Sequence, residues 1–146
     1  MVYIIARTAA KRAMLRSPLT VNVPNLPHQI QVHMDPDDRL VAAVGGAARY
    51  LADAAGLSND MILQFQASVV SACRHCFHCH SSATQCGITL RRSLDRLDVE
   101  VALPGTKPPD GEKPSWEGID EVQCESREHE AVLRLTKFVS PNPPAD

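Results

Sequence analysis

Cysteine and histidine side chains, whose sulfur and imidazole nitrogen atoms bind metal ions, are concentrated between residues 73 and 80. The segment from Cys76 to His80 reads CFHCH, the C-x-x-C-H spacing of covalent haem attachment, with two thiols on the vinyl groups and a histidine on the iron. Residues three and four positions apart share one side of a helix, so the same stretch could also hold zinc or iron. The candidate ligands for such a site are Cys73, Cys76, Cys79 and His80.

A metal or haem site at this stretch meets two objections. One helix end supplies only part of a coordination shell, so the fold would have to bring in Cys86 or His33. Haem attachment normally follows export, and the apolar run near the N-terminus precedes the basic residues, which is the wrong order for a signal peptide. We therefore expect no bound metal or haem, and we interpret Cys73 and Cys76 as small fillers of a core. Thiol reagents should then reach Cys79 or Cys86 first.

The element that would position these side chains is a helix from Met61 to His80. Apolar side chains fall on one broad arc of this helix and polar side chains on the other. The apolar arc comprises Met61, Ile62, Leu63, Phe65, Val69, Val70, Ala72, Cys73, Cys76 and Phe77. The polar arc comprises Gln64, Ser68, Ser71, Arg74, His75 and His78. We expect the first arc to face the core and the second to be available for function, with Ser58 or Asn59 as the N-cap.

The rest of the sequence predicts a layer of strands beside two helices. Alternating apolar residues predict a strand from Gln29, and Asp35 then favours the start of a first helix that ends at Gly56. Further strands are expected at 87–92, 96–103, 119–124 and 131–138, the first two of them joined as an antiparallel hairpin, with a proline-rich loop at 104–118. This order predicts an α+β two-layer sandwich, with two helices on one face of a mostly antiparallel sheet. We assign residues 28–139 to this domain, 1–27 to a loosely ordered N-terminal arm without a role in the fold, and 140–146 to a proline-rich tail.

The chain from Gln29 to Phe138 resembles the histidine-kinase-like (GHKL) ATPases, and among them the anti-sigma-factor serine kinases of bacterial partner-switching systems. The resemblance rests on the element order and on four segments, which are MDPDDRLVAAV, VVSACRHCF, LDVEVALPG and IDEVQCESREHEAVLRLTKF. In the family, the second segment belongs to the nucleotide helix and the third to the adenine-binding strand. The resemblance implies a Bergerat-like form of the predicted α+β sandwich.

Three positions that bind nucleotide in the family carry different chemistry in this chain. The alignment places Ser71 where the family has a glutamate that orients the attacking group, and His75 where an asparagine binds magnesium. Leu103 takes the place of the aspartate that accepts the adenine amino group, and Gly105 is the one family glycine retained. Serine is no anionic base, histidine is a poor magnesium ligand, and leucine accepts no hydrogen bond. The resemblance with these changes implies a fold that has lost ATP and magnesium binding.

The proline-rich loop 104–118 stands where the family has a helix, a lid and glycines that hold phosphate. Its fifteen residues leave no room for a phosphate cradle. The loop contains Trp116, the only tryptophan of the chain. This side chain either pins the loop over the vacated pocket, which we favour, or is exposed for a partner.

Two adjacent glycines, Gly45 and Gly46, lie inside the first predicted helix, where each costs about 1 kcal/mol relative to alanine. Their presence indicates that either another part of the fold or a partner approaches the helix closely. On the second interpretation, a partner-binding surface contains Arg39, Gly45, Gly46 and Arg49. As the resemblance implies, the partner would be a sigma factor or an antagonist of the anti-sigma factor.

Composition describes an ordinary globular domain without a strongly charged partner. The 146 residues carry a net charge of −2, which does not favour direct nucleic-acid binding. No apolar run reaches the roughly 18 residues of a membrane span, and clustered cysteines in odd number favour a cytoplasmic location. We therefore expect a degenerate anti-sigma-factor-like regulator that binds proteins without ATP, as a monomer or a homodimer. The alternatives are an active ATP-dependent serine kinase and a metal or haem redox sensor built on the 73–80 cluster.

Overall fold

The computed structural model describes residues 2–7, 29–79, 85–105 and 114–139. The strands within these ranges are β1 (Val2–Arg7), β2 (Gln29–Met34), β3 (Cys86–Arg92), β4 (Arg96–Pro104), β5 (Glu121–Arg127) and β6 (Glu130–Phe138), and the helices are α1 (Val41–Ala54) and α2 (Asn59–Cys79). The strands form one antiparallel sheet in the order β1-β2-β3-β4-β6-β5. Both helices pack on one face of this sheet, which confirms the predicted α+β two-layer sandwich.

The core lies between the helices and the apolar side of the sheet. Every second residue of β2 enters it, namely Ile30, Val32 and Met34. The predicted hairpin of β3 and β4 is confirmed and continues this layer, with Leu90 opposite Val99. Each fully buried side chain of this size contributes roughly 1.5 to 3 kcal/mol by leaving water. Burial therefore fixes the register, because a shift by one residue would turn the apolar set towards solvent.

Helix α1 begins later than the sequence indicates. The prediction that Asp35 is the N-cap is wrong, because the backbone is still extended two residues later, at Asp37, with φ −124° and ψ 123°. Instead, Asp37 caps the short 3-10 turn Asp38–Leu40, and its carboxylate accepts the backbone N–H of Arg39 at 2.9 Å. The turn leads directly into α1. The predicted stop at Gly56 is confirmed, since this residue has φ +83°, in the left-handed region that favours glycine.

Helix α2 follows the predicted pattern except at three residues. Its first turn is capped by Ser58, whose Oγ accepts the backbone N–H of Met61 at 3.4 Å. Most of the predicted apolar arc is buried, but Met61 and Leu63 are 36% and 52% exposed, because the layer beneath covers a narrower arc. Ser68, predicted on the polar arc, is buried because its hydroxyl donates to the backbone of the loop before β5. No helix within the described ranges is long and apolar enough to cross a membrane.

An N-terminal strand forms one edge of the sheet. Residues 1–27 were expected to have no role in the fold, but Val2–Arg7 pairs with β2 in antiparallel register. Its run VYII is rich in β-branched and aromatic residues, which fit a pleated surface. On the sheet face away from the helices, the ring of Tyr3 stacks on His33 with centroids 4.8 Å apart. The remainder of segment 1–27 and the tail 140–146 lie outside the described residues.

The sheet face opposite the helices carries a network of charged side chains. Arg134 of β6 donates to Glu100 of β4 through Nε at 2.9 Å and through a second guanidinium nitrogen. Arg127 of β5 donates to Glu100 at 3.2 Å and to Glu125 at 2.8 Å. Burial opposes the ionisation of Glu100, but the two arginines outweigh it and hold the pKa of this carboxyl below its ordinary value. The network joins three neighbouring strands on the solvent side.

Candidate functional site

Two of the four residues that the sequence aligns with a nucleotide pocket contact the loop that precedes β5. Ser71 and His75 occupy successive turns of α2 on its exposed side. The indole Nε1 of Trp116 donates a hydrogen bond to the Ser71 hydroxyl at 3.1 Å. The same indole meets the His75 ring edge-on, with centroids 5.8 Å apart and an interplanar angle of 74°. Trp116 therefore pins the loop to α2, while the interpretation of this place as a vacated nucleotide pocket stays a prediction.

The loop continues along α2 beyond the Trp116 contact. The carbonyl of Glu117 accepts a hydrogen bond from the Ser68 hydroxyl at 2.5 Å. Gly118 then passes so close to Gln64 that an added Cβ would lie 2.6 Å from the side-chain Oε1. Three consecutive loop residues thus contact three successive turns of the helix. These contacts, together with the one between Trp116 and His75, engage four of the six residues of the polar arc, while Arg74 and His78 remain exposed.

Behind the loop, a small cavity separates the C-terminal half of α2 from β4, β5 and β6. Its volume is about 30 Å³. Its walls are formed by His75, Cys76, Cys79, Val101, Leu103, Pro114, Cys124, Ala131, Val132 and Leu133. A single water needs roughly 10 to 15 Å³ by this measure, whereas pockets for larger ligands measure roughly 300 to 1,000 Å³. The space therefore admits a molecule of one or two heavy atoms and no larger one.

The aligned positions on β4 differ in their relation to this cavity. Leu103 lies in its wall, facing α2, with its side chain only 1% exposed. Gly105 is exposed beyond the end of the strand, and its N–H donates to the carbonyl of His129 at 2.5 Å. Leu103 and His75 thus line the same cavity, and Ser71 lies one turn before His75 on α2. Gly105 is not among the cavity walls.

The five cysteines differ in exposure. Cys73 and Cys76 are buried, as predicted, and Cys86 is buried too, so of the two thiols expected to react first only Cys79 is exposed. Burial raises the pKa of Cys76 and Cys86 from 9.0 to about 12. Burial also raises the pKa of Cys73 well above 9.0, with the neighbouring thiols of Cys86 and Cys76 adding to the effect. Cys79 is exposed and Cys124 is half-buried.

The metal-site hypothesis is not supported by the placement of these thiols. Within the described ranges, no group of three or more His, Cys, Asp or Glu side chains is arranged to hold a metal ion. Cys73 and Cys76 enter the core, while Cys79 faces solvent. His33, a suggested additional ligand, lies on the opposite face of the sheet beside Tyr3. His80, the last candidate ligand, lies outside the described residues.

The predicted partner surface on α1 has a buried and an exposed part. Gly45 is buried, and a Cβ at this position would lie 2.9 Å from Cγ2 of Val70, so close packing against α2 explains this glycine. Gly46 is exposed, and no atom of the described residues lies within 4 Å of a Cβ placed there. Arg49 is exposed one turn further on, and Arg39 is exposed in the turn before α1.

A groove of about 560 Å³ runs between α1 and the N-terminal part of α2. The residues along it are Gly46, Arg49, Tyr50, Asp53, Asn59, Ile62 and Leu63. Tyr50 and Leu63 present large exposed side chains there. Of the four predicted surface residues, the groove therefore includes Gly46 and Arg49, while Gly45 belongs to the packing between the helices.

No protein-family model and no curated protein matches this chain. Kinship with the histidine-kinase-like ATPases therefore stays a prediction that depends on the segments quoted above. The loop contacts, the cavity and the groove are the structural features that bear on function.

Several residues of these sites were missed by sequence reasoning. Tyr50 follows Gly46 by four residues, and this spacing alone places both on one face of α1. Leu63 was assigned to the core arc, because helical periodicity does not tell how wide an arc the neighbouring layer will cover. No local pattern could have paired Ser68 with Glu117, because 49 residues separate them in the chain.

Proposed function

We propose that the chain is a regulatory protein that binds another protein and no longer binds nucleotide, on a scaffold related to the histidine-kinase-like ATPases. The observation that carries the proposal is the contact of Trp116 with Ser71 and His75. Under the alignment, these are the positions of the family's attacking-group glutamate and magnesium-binding asparagine. The chain's own loop contacts both, so a nucleotide would have to displace the indole and the backbone contacts beside it.

The adenine side of the aligned pocket supports the same proposal. Leu103 offers no acceptor for an amino group, and each lost hydrogen bond to a charged or polar partner weakens binding by roughly 1 to 3 kcal/mol. The adjoining cavity has a volume of about 30 Å³, and its walls are mostly apolar side chains and thiols. Opening it for a purine would separate α2 from the sheet and expose buried core residues.

The groove between α1 and α2 is the surface that we assign to the partner. Tyr50 and Leu63 supply exposed apolar contact area, and Arg49 and Asp53 supply charge of both signs at its border. Tyrosine and arginine are enriched among the residues that dominate binding energy at protein interfaces. As the resemblance implies, the partner is a sigma factor or an anti-sigma-factor antagonist.

Calorimetric titration with Mg-ATP tests the nucleotide part of the proposal. We expect no heat of binding at physiological nucleotide concentrations. A dissociation constant in the micromolar range would contradict the proposal and favour an active serine kinase. Metal analysis of untagged protein from the same preparation tests the other alternative, because a metal or haem sensor would contain a stoichiometric amount of metal or haem.

Variants of the groove test the protein-binding part. Gly46→Leu and Leu63→Ser should leave the protein folded, since both positions are exposed, and should weaken binding to purified sigma factors or antagonists at least about tenfold. Gln123→Ala, on the sheet face opposite the helices, is the matched control and should bind like the wild type. If both groove variants bind as tightly as the control, the groove is not the partner surface.

A further inference from the structure

All five cysteines of the chain gather where the C-terminal half of α2 meets the sheet. Cys76, Cys79 and Cys124 border the same small cavity, although Cys124 is on β5 and the other two are on α2. Cys73 and Cys86 lie near enough to Cys76 for their charges to act on it or on one another. The fold therefore brings together thiols that are up to 51 residues apart in sequence, from position 73 to position 124.

Only one of these thiols combines access to solvent with a base. Cys79 is exposed, and its Sγ lies 3.6 Å from Nε2 of His75, one turn earlier on α2. The imidazole nitrogen is placed to accept the thiol proton, and the thiolate is the reactive form of cysteine. Burial raises the pKa of Cys73, Cys76 and Cys86, which keeps these thiols protonated and unreactive.

Cys124 is the second thiol that can take part in a reaction at this cavity. It is half-buried on β5, so it is neither as protected as the core thiols nor as accessible as Cys79. The cavity between the two residues, about 30 Å³, is large enough for a molecule with two oxygen atoms.

We propose that Cys79 is oxidised by hydrogen peroxide and that Cys124 then forms a disulfide with it across the cavity. In the first step His75 takes the Cys79 proton, and the thiolate attacks one peroxide oxygen. The O–O bond breaks, Cys79 becomes a sulfenic acid, and the departing hydroxide leaves as water with the proton from His75. In the second step the Cys124 sulfur attacks the Cys79 sulfur, the S–S bond forms, and the hydroxyl leaves as water with the Cys124 proton.

The reaction converts two thiols and one peroxide into one disulfide and two waters. The new bond joins β5 to the end of α2 and moves the side chain that contacts His75. Because His75 also meets the Trp116 ring, the change reaches the loop that precedes β5. The single tryptophan of the chain thus becomes a fluorescent reporter of the oxidation state.

The test treats the reduced full-length protein with a small molar excess of hydrogen peroxide. We expect the protein to lose two of its five free thiols, and peptide mass spectrometry without reduction should find Cys79 joined to Cys124. Trp116 emission should change in step with thiol loss and recover on addition of dithiothreitol. Cys124→Ser should give no internal disulfide but a sulfenic acid at Cys79 that dimedone traps, whereas Cys79→Ser should give neither product.

His75→Gln tests the role of the base, since it keeps a polar side chain at the same turn. It should slow the oxidation about tenfold at neutral pH and much less in alkali, where hydroxide removes the thiol proton. The proposal is overturned if the disulfide joins Cys79 to Cys76, if a buried thiol is oxidised first, or if no thiol is lost where free cysteine is oxidised. These outcomes do not affect the nucleotide and partner-binding tests above, so the two proposals can fail separately.

Discussion

The indole Nε1 of Trp116 donates a 3.1 Å hydrogen bond to Oγ of Ser71, and this bond joins the loop before β5 to the middle of α2. The two residues are 45 positions apart in the chain. The ring also meets His75, so one side chain engages two turns of the helix. Trp116 therefore helps to hold the loop in place, although the sequence alone also allowed this side chain to be exposed for a partner.

Replacement of Trp116 by alanine should lower the free energy of unfolding by about 1 to 2 kcal/mol, because a half-buried ring and one hydrogen bond are lost. Urea denaturation of the purified variant measures this change. Trp116→Phe and Ser71→Ala each remove the hydrogen bond and should cost about 0.5 to 1 kcal/mol. Their double mutant should cost less than the sum of the two. Strict additivity would show that the bond contributes nothing.

The adjacent glycines of α1 should respond to alanine in opposite directions. Gly46→Ala should raise the free energy of unfolding by up to about 1 kcal/mol, because the site is open and alanine favours helix. Gly45→Ala should lower it by about 1 kcal/mol, because the clash with Val70 costs roughly 1 to 3 kcal/mol and outweighs the gain in helix propensity. Thermal and urea unfolding of the two variants, which differ by one position, measure this difference.

A second substitution checks the cause of the Gly45 effect. Val70 has a branched side chain with little freedom in a helix, so it cannot turn away from an added Cβ. Val70→Ala in the Gly45→Ala background should therefore cost less than Val70→Ala in the wild type. Equal costs in both backgrounds would mean that the two side chains do not meet.

Alkaline pH should destabilise the fold through its buried thiols. The pKa of Cys76 and of Cys86 is about 12 in the folded protein and 9.0 when unperturbed, so the unfolded chain loses these protons first. Stability is therefore fully present below about pH 9 and falls as the pH rises towards 12, by at most roughly 1.4 kcal/mol per pH unit for each thiol. Urea unfolding across this range measures the slope. Cys86→Ala should reduce the slope.

Acid should remove the contribution of Glu100 on the opposite face. Its pKa lies below the ordinary value of 4.5, so its contribution is present above that pH and is lost as the pH falls below it. Glu100→Gln should lower the free energy of unfolding by about 1 kcal/mol or less at neutral pH, since the pair is partly exposed to solvent. The difference from the wild type should shrink in acid. A difference that is constant with pH would indicate a loss of packing and not of charge.

Local patterns predicted most of the elements correctly. Strict alternation marked β2, β3 and β4, and the positive φ of Gly56 explains why the stop of α1 could be predicted from one residue. The start of α1 was misplaced because Asp35 and Asp37 are both suitable caps, and the local pattern does not show which of them is used. The strand β1 was missed because its partner β2 is more than twenty residues away, so pairing and not local pattern creates it.

The candidate site was less predictable than the fold. Helical spacing placed Cys76 in the core and Cys79 outside it, but it could not show that Cys86 and Cys124 would join them from distant strands. Cys86 is buried because it is the first residue of β3, whose alternate side chains face the core, whereas the predicted strand began one residue later, at Gly87. Contacts between elements therefore decide which thiols are accessible.

The order of strands also determines when the sheet can be completed during synthesis. β6 lies between β4 and β5, although it is the last strand of the chain to be made. Until residues 130–138 have left the ribosome, β4 has an unpaired edge, and β5 has no neighbour at all. Such nascent edges can pair with a wrong strand. A chain that is cut before β6 would therefore be expected to aggregate, even though both helices and five of the six described strands are already present.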